Sequence, residues 1–513
     1  MKPINAIKFS LLALFLAGTS CKDLNTINTN NPDLEAVLAT GDDLFAVLDG
    51  GYAAWWEGVH NPNLVMALSI AADGYTMSWD DFGSRRMGDE PRQAYNNRLS
   101  EDVDYKKIVE TPWYGCLSAV SNANDVLIAM NNGVSVDDGG PQDASVRAAA
   151  HLLRGLSWGY LGLIFDQALM VDENTDLEKE LVFSTYREMI AAAEAELDEA
   201  ISIAESVGPG FIHTFFNGVV LDADLFVQLC HSYSARFLTQ WPRTEEENGQ
   251  VDWTAVLNHA ENGLTFNFAP EADGKFWVSY HQYAFAETGQ GPFWARIDQR
   301  LVAAFDQSQP ARYPEVVALE EPPLDSKMAT SDDARLTADF LFFENTGFPV
   351  ERGEWFFSHY QHNRNVSAPD FAGDGASTGV MPTFLAEDNA LLKAEALLAL
   401  NRGLEALGVI NEGSRVNRGE LPPLSAGASP AEVRRAIFYE RAIELLSTAP
   451  MGIWFDRRRS APRIDVQELD ALGGLQFGTP AQLPVPDKEL RIHDMPAYNF
   501  GGERDPFGVE RVY

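Results

Sequence analysis

Apolar residues recur every three or four positions over much of this chain, the spacing of helices buried on one side. The pattern predicts a helix over about Ala144–Phe165, opened by Asp143, with Leu152, Leu156, Tyr160 and Leu163 on one face. Gly155, Gly159 and Gly162 sit on the same helix at four- and three-residue intervals. Glycine weakens a helix, so a close neighbouring backbone is the expected reason for them. A second helix is expected over about Ser184–Ser206, with Tyr186, Ile190, Ala193, Leu197, Ile201 and Ala204 inward. Its many glutamates form a solvated face. Two more are expected at about Leu221–Gln240 and Trp253–Leu264. From about Phe266 to Pro382 the helical period is lost, and Pro, Gly and Asp alternate with clustered aromatics. Helices resume at about Ala386 and near Leu404–Asn411. Ser429, Pro430 and Glu432 then open another that runs to about Ser447, as a capping box with proline in the first turn.

Paired helices raise the question of repeats. Trp158, Leu161, Gly162 and Phe165 match the start of a tetratricopeptide pattern, but Asn174 and Glu178 break it. Helix pairs without a regular 34-residue period are expected.

The first residues read as a targeting segment. Lys2 and Lys8 precede the apolar run Phe9–Ala17, followed by Gly18, Thr19, Ser20 and Cys21. This is the order of a secretory signal, with Cys21 placed for cleavage and lipidation, a palmitate-type multi-chain anchor. Asn25–Asn31 is polar and turn-forming, as a tether should be. The expected organisation is a signal peptide (1–20), a lipidated tether (21–42), a helical part (43–265), a loop-rich aromatic insert (266–382) and C-terminal helices with a tail (383–513). Cys116 and Cys230 stand in helix-like apolar segments and read as two separate core thiols.

Composition changes the picture in one respect. The 513 residues carry 38 Lys and Arg against 75 Asp and Glu, a formal net charge of −37. Such a surface repels phosphate backbones, so no nucleic acid partner is expected. The chain has no phosphate loop, zinc-protease helix, nucleophile elbow or paired Cys-x-x-Cys motif. No catalytic residue, metal or cofactor is therefore assigned. His359 and His362 read as a surface or loop pair, and Asp172, Asn174 and Asp176 only begin a calcium-loop pattern that Leu177 and Phe183 fail to complete.

Several stretches together resemble the SusD/RagB family of outer-membrane nutrient-binding lipoproteins. They are Arg147–Leu169, Ala386–Gly403, Ile410–Pro422, Phe438–Arg458 and Gln482–Tyr498, in the family's order and spacing. Ile453 stands where the family carries a basic residue, and Asp166-Gln167 replaces its Gly-Asp. The resemblance implies a mostly α fold, with tetratricopeptide-like helix pairs as a scaffold and an irregular loop-rich region packed against it. It implies a surface-exposed lipoprotein of the outer membrane, held by its lipid anchor. Such a protein binds an oligomeric nutrient, most often a glycan, and delivers it to a TonB-dependent SusC-like barrel transporter without catalysis. Glu440, Arg441, Glu444, Asp456 and Arg457 are expected to form a buried ion-pair network joining the last helix to the loop after it. Asn411 and Arg415 suit a turn.

Sugar recognition stacks ring faces on aromatics and satisfies hydroxyls with Asp, Asn and Arg. Three loop-like stretches carry that mixture and supply the candidate ligand residues. They are Asp73, Tyr75, Trp79 and Asp81; Tyr95, Asn96 and Arg98; and Trp277, Tyr280 and Trp294. Two other readings remain open at this point. A secreted glycan-degrading hydrolase would place two opposed carboxylates in one aromatic cleft. A helical-repeat scaffold would show a polar groove with no aromatic platform.

Overall fold

The computed structural model describes residues 38–77, 83–98, 102–278, 295–312, 327–344, 357–364 and 378–513. The fold is mostly helical. It opens with three helices: α1 (Gly41–His60), α2 (Pro62–Ala71) and α3 (Val103–Asn131). Asn61 joins the first two. Its Oδ1 accepts the Leu64 N–H at 2.9 Å, capping α2, while its Nδ2 donates to the Gly58 carbonyl at 2.9 Å. Asp102 caps α3 in the same manner, accepting from the Tyr105 N–H.

α4 (Pro141–Ile164) begins three residues before the expected start. Asp143 is not its cap. Asp137 accepts the Gln142 and Asp143 N–H groups, and the Asp143 carboxylate turns back to the amides of Val136 and Gly139. α5 (Tyr186–Val207) starts with a Thr185/Glu188 capping box. α6 (Ala223–Gln240) is capped by Asp222 and α7 (Trp253–Glu261) by Asp252. Successive helices pack on one another from α3 through α7, giving the expected scaffold of helix pairs. The glycines of α4 explain part of this closeness. A Cβ on Gly155 would stand 3.2 Å from the Ala193 carbonyl oxygen, and one on Gly162 3.1 Å from that of Tyr186, both on α5. Gly159 faces α6 instead, where the Phe237 ring fills the space. Cys116 and Cys230 are buried and unpaired. Burial pushes the Cys116 thiol up to about 12.

Two-stranded antiparallel sheets recur along the chain. β1 (Tyr75–Thr76) pairs with β7 (Arg296–Ile297), which stitches the insert to the scaffold, and β6 (Glu271–Asp273) with β10 (Thr378–Val380). β2 (Gln167–Leu169) pairs with β3 (Phe183–Thr185), β4 (Ile212–Phe216) with β5 (Val219–Asp222), and β8 (Phe340–Phe342) with β9 (Tyr360–His362). Among the described residues, α8 (Gln299–Phe305) and a single helical turn at Arg335–Ala338 stand in the region expected to lack helices. Leu301 and Phe305 of α8 join Tyr75, Ile297 and Ile70 in a second core. His359 and His362 are not a surface pair. They lie buried at the β8–β9 ribbon, where the His359 Nδ1 bonds the Phe343 carbonyl at 2.7 Å and His362 packs edge-on against Phe340.

The C-terminal helices are α9 (Ala386–Ala399), α10 (Gly403–Glu412), α11 (Pro430–Glu444), α12 (Gly452–Ser460) and α13 (Asp487–Ile492). The Ser429/Glu432 capping box of α11 is present. The charges Glu440, Arg441, Glu444, Asp456 and Arg457 are buried, as expected, but Asp456 and Arg457 lie on a helix, α12, rather than a loop. They also divide between separate clusters. Arg441 and Arg459 hold Asp456 at 2.7 and 2.9 Å. Glu440 and Glu444 grip Arg335 at 2.6 and 3.2 Å, with Asp333 and Arg418 closing the group. Asn411 and Arg415 lie in helices, α10 and the short Ser414–Asn417 turn of helix, and hold the chain that follows: Asn411 clasps Leu424 through both its amide atoms, and Arg415 donates to the Pro422 carbonyl.

Candidate functional site

α1 has two unlike faces. Leu44, Leu48, Tyr52, Trp55 and Val59 turn into the core. Asp49, Gly50, Ala53, Ala54 and Glu57 instead line an open cleft of about 910 Å³. Four-residue spacing puts the small side chains between the two acids on one stripe. The first turns of α3 form one side of the cleft with Asp104, Lys107 and Thr111. Lys107 is already paired with Asp104 at 3.1 Å.

The facing wall is the segment after β6. Asp273 Oδ1 accepts the backbone N–H groups of Lys275, Phe276 and Trp277 at 2.8, 2.9 and 3.0 Å. Burial opposes its charge, but these donors outweigh it and hold the carboxyl below its usual range. Gly274, with φ of 70°, allows the tight reversal. The turn is tied sideways as well: Glu271 N–H donates to the Asn217 carbonyl, and the Asn217 amide donates back to the Glu271 carbonyl.

This turn fixes two aromatics in different states. Trp277 is 7% exposed and tilts against Trp56 with ring centres 5.0 Å apart. Trp56 in turn stacks on His60 at 3.8 Å and donates its indole N–H to the Val278 carbonyl. Phe276 is 70% exposed on the cleft wall. A large apolar ring held in water by a rigid turn, among carboxylates and amides, is the composition of a sugar-stacking platform.

Of the expected ligand residues, Trp277 lines this cleft. Tyr95 and Asn96 line a second, smaller cavity of about 390 Å³ on the other side of the first turns of α3, with Lys106, Glu110, Asp487 and Lys488. Arg98 is exposed and donates to the Ala497 carbonyl at 2.9 Å. Tyr95 is buried and stacks on Tyr105 at 4.8 Å, offering no ring face to solvent. Tyr75 is buried in the second core, opposite Ile297. Asp73 is fully buried, and its oxygens accept from Arg92, Arg300, Arg312 and Gln476. Burial opposes ionisation there, but Arg92, Arg312, Arg300 and Arg457 overcome it and hold the carboxyl far below its usual range. Asp73, Tyr75 and Tyr95 are therefore structural in this conformation. Cys21, Trp79, Asp81, Tyr280 and Trp294 lie outside the described residues.

Sequence reasoning missed Asp49, Glu57, Asn217 and Phe276 as site residues. Only Phe276 had a local signal, its place beside Trp277 after an Asp-Gly turn.

No family model matches the chain, and no curated protein does. Solved structures do. A SusD superfamily protein from Parabacteroides distasonis superposes with a TM-score of 0.62 at 13% identity, covering 88% of this chain and 97% of its own. A SusD-like carbohydrate binding protein from Bacteroides vulgatus gives 0.57 at 14% identity, over 82% and 83%. A structure described as with xylogluco-oligosaccharide gives 0.52 at 14% identity, over 80% and 82%. At such low identity the likeness speaks for the fold, and this chain has the fold of the SusD superfamily.

Proposed function

We propose that this protein binds an oligosaccharide in the cleft between α1 and the 273–278 turn. The observation that carries the reading is Phe276, an exposed ring on the wall of an open cleft of about 910 Å³, with carboxylates and amides around it. Two structures of the same fold support it, one described as carbohydrate binding and one as with xylogluco-oligosaccharide. The protein releases its ligand chemically unchanged. Asp49 and Glu57 lie eight residues apart on one helix, about 12 Å along its axis. That exceeds the spacing of about 5–9.5 Å at which paired carboxylates hydrolyse glycosidic bonds. Asp273, across the cleft, has one oxygen committed to three amides.

The leader and Cys21 support a lipid-anchored protein on the outer-membrane surface, and the family resemblance supports delivery of the ligand to a TonB-dependent barrel transporter. A glycan array probed with the soluble chain tests the binding reading. Binding to one oligosaccharide class, weakened in Phe276→Ala, is the expected result; an array with no binder refutes it. Loss of membrane association in Cys21→Ala, and recovery of the native protein with a large barrel in gentle detergent, test the anchor and the partner. Retention of the variant after a salt wash, or recovery of the native protein alone, refutes each in turn.

A further inference from the structure

The charges around the cleft carry the reading of this site one step further, to the chemical class of glycan, and the step rests on the oligosaccharide reading above. Lys107 is neutralised by Asp104 beside it. Among the described residues, what remains facing the cleft is Asp49 and Glu57 at the two ends of the α1 stripe, Asp273 at the turn, and a single cation, Lys275. All four are exposed at the mouth, where a ligand meets them as it enters. The chain as a whole adds a net charge of −37. Carboxylates lining a cleft with low-dielectric walls focus a negative potential into it. A negatively charged ligand pays for that potential at every subsite.

We infer that the cleft takes a neutral oligosaccharide of at least two sugar units and rejects glycans bearing uronate or sulfate groups. Length follows from the stripe. Asp49 and Glu57 stand about 12 Å apart along α1, eight residues at 1.5 Å each, which is more than one sugar ring spans. The floor between them is Gly50, Ala53 and Ala54, so a chain of rings lies along the helix with no side chain in its way. Carboxylates suit neutral sugars, because each accepts two or more hydroxyl hydrogens. They are poor partners for a sugar carboxylate or sulfate, which offers only acceptors. The Phe276 face makes the same distinction, since the negative face of an aromatic ring welcomes C–H edges and repels anions.

The test uses the soluble chain at pH 7.5 and calorimetric titration with matched pairs. The neutral probes are xylogluco-, gluco-, manno- and galacto-oligosaccharides; the acidic probes are oligogalacturonate and a sulfated galactan oligomer. The tightest binder is expected among the neutral probes, with the acidic ones at least tenfold weaker at low salt and closer to parity at 0.5 M salt. The double variant Asp49→Asn/Glu57→Gln keeps the side-chain volume and removes two charges. It is expected to narrow the neutral-to-acidic ratio by fivefold or more. An acidic probe that binds as tightly as the best neutral one overturns the inference while leaving carbohydrate binding in place. So does a ratio unmoved by the double variant. Failure of every probe, neutral and acidic, overturns carbohydrate binding and the inference with it.

Discussion

Gly159 gives the sharpest test of how the scaffold is packed. A methyl group there would sit 2.2 Å from Cε2 and 2.3 Å from Cζ of Phe237, more than 1 Å inside ordinary van der Waals contact. The ring has nowhere to go. Phe237 is fully buried and held edge-on by Tyr160 at 5.6 Å and tilted against Tyr233 at 5.9 Å. Overpacking a core in this way costs about 1–3 kcal/mol, and the overlap places Gly159→Ala at the upper end. Replacing a helical glycine by alanine returns about 1 kcal/mol. The net loss is about 2 kcal/mol. Two other glycines calibrate the figure. A Cβ on Gly155 meets Glu196 Cβ at 3.1 Å and the Ala193 carbonyl at 3.2 Å, so a small adjustment offsets the helical gain and Gly155→Ala is close to neutral. Gly408, within α10, has nothing within 4 Å of its Cβ position, so Gly408→Ala gains up to about 1 kcal/mol. Urea unfolding followed by far-ultraviolet circular dichroism should rank the proteins Gly408→Ala, wild type with Gly155→Ala, then Gly159→Ala. Gly159→Ala equal to or above Gly155→Ala would refute the close seat of α4 on α6.

Arg335→Met leaves Asp333, Glu440 and Glu444 buried without their shared cation, and should cost about 3–5 kcal/mol, read as a lowered urea midpoint or lost soluble expression; an unchanged midpoint contradicts the network's role. Burial holds the His213 ring down to about 3, against about 6.5 in an unfolded chain. The unfolded state then binds more protons between those values, so stability is full above about pH 6.5 and drains as pH falls toward 3. His213→Gln should flatten the pH dependence of the melting temperature between pH 6.5 and 4, and an unchanged slope excludes this ring as a source. Phe276→Ala should weaken oligosaccharide binding by about fivefold, the loss of about 1 kcal/mol of stacking, with the melting temperature unmoved because the ring is exposed. A melting point several degrees lower would mean that Phe276 is structural.

The C-terminal part of the fold was legible because its signals are local. The Ser429 capping box and the charges of α11 and α12 each declare themselves within a few residues. α1, α2 and α3 were not read as helices, for physical reasons. α2 is buried on every side, so no polar stripe marks its period. α1 turns a face of glycine and alanine to the cleft, which is neither plainly polar nor apolar. α3 carries Pro112 in its interior, ordinarily a break. The site was only partly legible. Turn-forming loops with aromatics look alike whether the ring stacks on a sugar or on the core. What decides is a partner far along the chain, such as Arg300 for Asp73 or Ile297 for Tyr75. The cleft joins α1, α3, Asn217 and residues 273–278, and no local motif spans that distance.

A crystal structure of the soluble chain with the tightest neutral oligosaccharide from the titration series tests the central claim most directly. The account predicts a sugar ring stacked on Phe276, with the oligosaccharide running along Gly50, Ala53 and Ala54 between Asp49 and Glu57. A ligand seated elsewhere, as in the cavity lined by Asn96 and Lys488, with the α1 cleft empty, would contradict it.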